Sequence, residues 1–371
     1  MGQDERAAWL RLLLTDGVGN ETARKLLAAF GSPEAVWQQD FSTLKAVTSA
    51  RVAEALAAPP ADLPQTLDQL ETWLAAGPDR HLLTLGDPHY PAELLQTQDP
   101  PLLLYVLGQL GALQHPQRLA IVGSRNPTPQ GALNARQFAH ALGQAGVCVV
   151  SGLALGVDGA AHEGALEAGA PTIAVVGTGL DRVYPSRHRD LAHRIAAQGA
   201  LVSEYPLGTP PLSPNFPKRN RIIAGLSQGT LVVEAALQSG SLITARLANE
   251  QGREVFAIPG SIHAPQAKGC HALLRQGAKL VETAADILDE LQGLNMPASP
   301  TYKAPAAIKN EVPEQGPELL RALGHDPMTL DTLMARTGWD AAHLQAQLMG
   351  LELDGMVARL PGGLYQRITH S

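Results

Sequence analysis

Residues 119–177 read LAIVGSRNPTPQGALNARQFAHALGQAGVCVVSGLALGVDGAAHEGALEAGAPTIAVVG. Three apolar runs stand in it, LAIVG (119–123), VCVVSG (147–152) and TIAVVG (172–177), and each is apolar without alternation. A strand with no polar side has both faces covered, and helix-length connections between such strands make them parallel. The same rhythm continues outward through the apolar runs at 200–204, 230–235, 254–258 and 279–282. It predicts an α/β domain, a Rossmann-like, doubly wound and mostly parallel sheet, beginning at Arg118. Upstream, HLLTLGDPHYPAELLQTQDPPLLLYVLG (81–108) holds two more short apolar runs parted by prolines, expected as strands at the edge of that sheet.

Both flanks differ in pattern. Residues 6–57 carry short amphipathic periods that end at Pro59, Pro60 and Pro64 and predict a small helical domain. In it, Gly17-Val18-Gly19 before Ala23 to Leu27 is similar to a helix-hairpin-helix, whose amides meet a DNA phosphate; a tight turn between core helices is the other reading, since residues 1–60 hold six basic and seven acidic residues. From Leu294 to Pro317 the periodicity is lost and five prolines appear, as in a semi-rigid linker. The tail fits three short helices followed by MVARL, the turn PGG and LYQRI, a winged-helix-like pattern. The expected division is 1–78 helical (SAM-like or helix-hairpin-helix-like), 79–291 the sheet domain, 292–317 linker and 318–371 winged helix.

The whole chain of 371 residues is 45% hydrophobic and 17% charged, a globular profile, with a net charge of −7 that argues against an indiscriminate grip on duplex DNA. No stretch approaches a membrane span and MGQDERAAWL has no basic region before an apolar run, so a cytoplasmic location is expected. Cys148 and Cys270 lack disulfide or metal-ligand spacing; structural thiols are expected, and neither metal nor cofactor.

In such sheets ligands sit outside the carboxyl ends of the strands. Gly123-Ser124-Arg125 offers close backbone approach, a hydroxyl and a guanidinium for phosphate. SGLALGVDGAAHEGAL (151–166) places Gly152 and Gly156 in a turn before a helix, with Asp158 expected as its N-cap; His162, one turn further on, could be an acid, base or metal ligand, but with no second histidine or cysteine at ligand spacing it is expected in capping chemistry at the surface. At Gly177-Thr178-Gly179 a dinucleotide fingerprint would begin, but Arg182 stands where its third glycine belongs. The fourth turn runs Phe216-Pro217-Lys218-Arg219-Asn220-Arg221 into the helix IIAGLS. Three cations at a helix start oppose the macrodipole and imply an anion there; Phe216 offers a ring for a base and Asn220 an amide for phosphate or base edge. Gly240-Ser241 opens another helix and suggests a further phosphate cradle. No serine has a histidine and carboxylate at motif spacing, no carboxylates pair and no GxxxxGK[ST] occurs, so a binder is expected rather than an enzyme.

Taken together, GSR (123–125), SGLALGVDGAAHEGAL, FPKRNRIIAGLS (216–227) and GSLITA (240–245) resemble the DprA (Smf) DNA-processing proteins in sequence, order and spacing over roughly residues 80–290. The resemblance implies a homodimer that binds incoming single-stranded DNA in natural transformation, protects it and loads the recombinase RecA. It places the DNA pocket at Arg125, Lys218, Arg219, Asn220 and Arg221, beside the turns at Gly152 and Gly240. One departure concerns the tail, where DAAHLQAQLMGLELD, the expected recognition helix, has no Lys or Arg, leaving duplex and protein contact both open. The alternative is an enzyme, a nucleotide phosphoribohydrolase of the lysine-decarboxylase-like (LOG) family, but in LSQGTLVVE (226–234) the leading glycines are missing and Glu234 falls one residue late.

Overall fold

A computed structural model describes residues 2–292, 318–324 and 326–368. The chain opens with six helices, α1 (Gln3–Leu14), α2 (Asn20–Phe30), α3 (Pro33–Trp37), α4 (Phe41–Val47), α5 (Ala50–Leu56) and α6 (Leu63–Ala75). The proline cluster does not end the helical part as expected: Pro64 lies in the first turn of α6, where a missing N–H costs nothing. Then come β1 (Arg80–Thr84), α7 (Ala92–Leu95), β2 (Leu103–Gly108) and α8 (Leu110–Leu113).

The repeating part follows as β3 (Arg118–Val122), α9 (Pro129–Gln144), β4 (Cys148–Ser151), α10 (Val157–Glu167), β5 (Thr172–Val175), α11 (Arg189–Gln198) and β6 (Ala200–Ser203). It continues through α12 (Asn215–Leu226), β7 (Gly229–Val232), α13 (Ser241–Glu250), β8 (Glu254–Ala257), α14 (Lys268–Arg275), β9 (Lys279–Leu280) and α15 (Ala284–Gln292). Each of the seven apolar runs from Leu119 onward coincides with one of these strands to within a residue at its start. The nine strands form one sheet in the order β1-β2-β6-β5-β4-β3-β7-β8-β9. All neighbours from β6 to β9 are parallel, while β2 runs antiparallel to both β1 and β6 and so carries the expected edge pair.

Successive strand residues point to opposite faces, and here both faces are dry. Ala120 and Val122 of β3 pack with Ile222, Ile223 and Leu226 of α12 on one side. Leu119 and Ile121 meet Ala135, Phe138 and Leu142 of α9 on the other. Full burial of such side chains contributes roughly 1.5–3 kcal/mol each for Val, Leu, Ile and Phe, which is why the runs lack alternation. The N-terminal helices share a third core with the sheet, from Leu10, Leu26 and Trp73 to Tyr105 and Ile195.

At the hairpin Gly17 takes φ 78°, and both cations behind it are paired with carboxylates. Arg24 pairs with Asp99 at 3.1 Å, and Lys25 with Glu21 at 2.8 Å within α2. The tail forms α16 (Glu318–Leu323), β10 (Met328–Thr329), α17 (Leu330–Thr337), α18 (Ala341–Leu353), β11 (Val357–Leu360) and β12 (Leu364–Arg367), a winged helix with strand order β10-β12-β11 around its own core of Leu320, Leu333, Leu344 and Leu348. Within the expected linker, 293–317 lies outside the described residues. No helix among the described residues is long and apolar enough to cross a membrane.

Candidate nucleic-acid interface

Strand order reverses between β3 and β7, because β4, β5 and β6 follow β3 on one side while β7, β8 and β9 extend on the other. Diverging connections leave a crevice at that point. There a cleft of about 500 Å³ is lined by Gly123, Ser124 and Arg125 after β3, by Phe216 and Asn220 of α12 and by Gly240 before α13, among others. Three turns singled out in the sequence thus meet in one place, although more than 100 residues part the first from the last.

Their backbones are tightly seated. Gly156 has φ 81°, and a Cβ on it would strike the carbonyl of Ser124, so the first and second turns touch only because this position is glycine. Asp158 is not the N-cap. It sits in the first turn of α10 and reaches back to accept from the amides of Gly152 (3.1 Å) and Ala154 (3.3 Å), tying down the loop in front of its own helix. Burial raises its pKa, against the pull of Arg219 and of these amides. Ser124 Oγ accepts from the Asn126 amide at 3.1 Å, and Ser241 Oγ bonds Ser239 Oγ at 2.7 Å, so Ser239 joins the small-residue turn.

The cationic helix start divides into two kinds of residue. Lys218 and Arg125 are exposed and form no ion pair among the described residues; Lys218 Nζ lies 5.9 Å from the Tyr205 ring centroid, and the Arg125 guanidinium 5.6 Å from that of Phe216. Arg219 and Arg221 instead turn inward. Arg219 is 4% exposed and donates from Nη1 to the carbonyls of Gly152 (2.6 Å) and Val175, and from Nε to Asn220 Oδ1 at 3.1 Å. A Cβ on Gly152 would collide with that guanidinium. Burial lowers the Arg219 pKa to about 10, leaving it charged at neutral pH. Arg221 donates to Asp99 (3.1 Å) and to Glu204 (2.6 Å); burial would lower its pKa, but the two carboxylates outweigh that and raise it. Asn220 spends its amide within the protein, donating to the Gly240 carbonyl at 3.2 Å and accepting from Arg219. The anion implied by three cations at a helix start is thus, for two of them, supplied from inside, by Asp158, Asp99 and Glu204.

Two other residues considered for chemistry have structural posts. His162 is fully buried, with Nδ1 2.8 Å from Thr172 Oγ1, rather than at the surface. Burial depresses its pKa to about 3, followed by repulsion from His188 and Arg219. The folded state therefore excludes the proton that the unfolded chain takes up below about pH 6.5, so His162 costs no stability above that pH and destabilises progressively as pH falls toward 3. Between pH 7 and pH 5 this amounts to about 2 kcal/mol, and His162→Gln should flatten that part of the stability curve, measured by urea unfolding. Glu234 accepts from the Thr128 amide (2.9 Å) and hydroxyl (2.6 Å), facing the start of α9, and burial raises its pKa. Cys148 and Cys270 are buried free thiols, pushed by burial to about 12 and about 11. Among the described residues no three His, Cys, Asp or Glu side chains are grouped to hold a metal ion.

Fold and cleft define a class: a Rossmann-like α/β protein with a partly cationic crevice at its switch point, preceded in sequence by a helical front and followed by a winged-helix tail. The chain belongs to the family described as DNA recombination-mediator protein A, which matches residues 81–292; a DprA-like N-terminal HHH domain matches 3–39 and a DprA winged helix domain 303–363. Among curated relatives, Protein Smf of Escherichia coli is 47% identical over 302 residues, covering 81% of this chain and 80% of its own, and Protein Smf of Synechocystis is 36% identical over 400 residues, covering 99% and 100%. Among solved structures, DNA processing protein A of Streptococcus pneumoniae aligns with a TM-score of 0.65 at 36% identity, over 78% of this chain and 98% of its own. A Helicobacter pylori DNA processing protein A, described for its single-stranded DNA binding mode, aligns with a TM-score of 0.53 at 32% identity, over 58% and 98%.

Proposed function

We propose that the switch-point cleft binds single-stranded DNA, with Arg125 and Lys218 on its phosphates, Ser124, Gly240 and Ser241 forming a backbone and hydroxyl cradle, and Phe216 offering a ring to a base; Gly152, expected beside the DNA, is buried with its amide on Asp158 and its carbonyl on Arg219, and belongs to the supporting wall. The carrying observation is the division of the cations: Arg125 and Lys218 stay exposed beside aromatic rings with no ion pair among the described residues, while Arg219 and Arg221, with the amide of Asn220, hold the wall in shape. Exposed cations alternating with rings suit a strand whose bases are splayed, where stacking and phosphate contact both contribute. Family membership and the described DNA binding of the Helicobacter pylori relative support the same ligand. In this reading the protein acts as a cytoplasmic homodimer that protects incoming DNA in natural transformation and passes it to RecA, with the unit boundaries 1–78, 79–291 and 318–371 and no catalytic role.

The test is a titration of single-strand against duplex DNA at several salt concentrations. Single strand is expected to win, and Arg125→Ala and Lys218→Ala should each lower the log-log salt slope by about 0.7 with unchanged melting temperature. Slopes equal to wild type would reject phosphate contact at these residues. The phosphoribohydrolase reading is not favoured: its candidate Glu234 is engaged by Thr128. Release of free base from AMP would revive it.

A further inference from the structure

We infer that Tyr184 is a second base-stacking platform, so that a strand seated in the cleft continues from Phe216 across the carboxyl end of β5. The inference rests on the single-strand reading of the cleft and adds a residue to its path.

Tyr184 lies in the connection between β5 and α11 and is 47% exposed. An exposed tyrosine alone carries no message. What distinguishes this one is its neighbour: its ring centroid is 5.6 Å from that of Phe216, the two planes inclined by 39°. Phe216 is in turn held from two other directions. The Arg125 guanidinium lies 5.6 Å from its centroid, and Gly177 makes room for it, since a Cβ there would come within 3.2 Å of Phe216 Cδ1. Asn215 Nδ2 donates to the Gly177 carbonyl at 3.0 Å and anchors the backbone next to the ring.

Phe216 thus touches Arg125 on one hand and Tyr184 on the other; Arg125 and Phe216 line the cleft, and Tyr184 stands outside its lining. Phe216 is partly covered by its neighbours, whereas Tyr184 presents half its surface to solvent. Rings placed side by side at this spacing suit neighbouring bases of an unpaired strand and read no sequence, because every base has a π face. Lys218, over Tyr205, supplies a cation near the same helix start for the accompanying phosphate.

The experiment uses the full-length protein and oligothymidylate probes of increasing length, with Tyr184→Ala and Tyr184→Phe. For probes long enough to pass Phe216, Tyr184→Ala should weaken binding roughly five- to 150-fold, the range for loss of one base–aromatic stack, while Tyr184→Phe retains wild-type affinity. An abasic site scanned along the probe should find a position that weakens wild-type binding but adds nothing in Tyr184→Ala. Equal binding by Tyr184→Ala and wild type, or equal losses in the alanine and phenylalanine variants, would overturn the platform and leave the cleft reading intact. Failure of the wild-type protein to bind any probe would instead remove the cleft reading, and the platform with it.

Discussion

Arg219→Ala is expected to destabilise the protein by about 3–5 kcal/mol, because it removes a buried cation whose partners stay behind. The carbonyls of Gly152 and Val175 lose their donor, and the buried Asp158 carboxylate loses its counter-charge. In a sheet domain of this size each kcal/mol moves the melting temperature by about 2–4 °C, so calorimetry should show a fall of roughly 6–20 °C. DNA affinity falls as well, through the wall of the cleft, yet the salt slope of the folded variant should match wild type because no phosphate contact is lost. Arg125→Ala should behave in the opposite way, with intact melting and a shallower slope. Arg219→Lys keeps the charge but not the planar fork that reaches two carbonyls and Asn220 together, so it should recover only part of the stability. A normal melting temperature with a slope reduced by about 0.7 would place this guanidinium on DNA instead.

Arg221→Ala should cost a similar amount, about 3–5 kcal/mol, for a related reason. Arg221 joins three parts of the molecule: α12 through its own backbone, the end of β6 through Glu204, and the segment before β2 through Asp99. Glu204 is only 8% exposed, and without Arg221 its charge is stranded. Asp99 also receives Asn20 and Arg24 from α2, so the same carboxylate ties the N-terminal helices to the helix that carries Lys218. A double-mutant cycle separates the pair from its desolvation cost: Arg221→Met combined with Glu204→Gln should regain most of what Arg221→Met alone loses, since replacing both partners of a buried pair is far milder than orphaning one. Losses that simply add would show that the two residues are not coupled.

These outcomes mark where sequence reasoning reached and where it stopped. The parallel sheet was legible because burial on both faces leaves a local signature, the unbroken apolar run of LAIVG or TIAVVG. The turns that line the cleft were legible because strand ends in such a sheet lie at one edge, and Gly123, Gly152 and Gly240 follow strands or open helices. The winged tail was legible from its short helices and the PGG hairpin. The length of the N-terminal helical part was not, since a proline cluster reads as a stop whereas Pro64 serves as a helix start.

The sequence by itself determined the order of strands and helices, the turns available to a ligand, and the concentration of charge at Lys218 to Arg221. Only the tertiary structure decided which of those charges faces outward. A guanidinium follows the carboxylates and carbonyls within its reach, and for Arg219 and Arg221 these come from residues 17 to 122 positions away in the chain. Hydrophobic periodicity is a property of neighbours in sequence and survives without the fold; pairing of a buried charge is a property of neighbours in space, and it gives Arg219 and Arg221 partners inside the protein while Lys218 stays exposed.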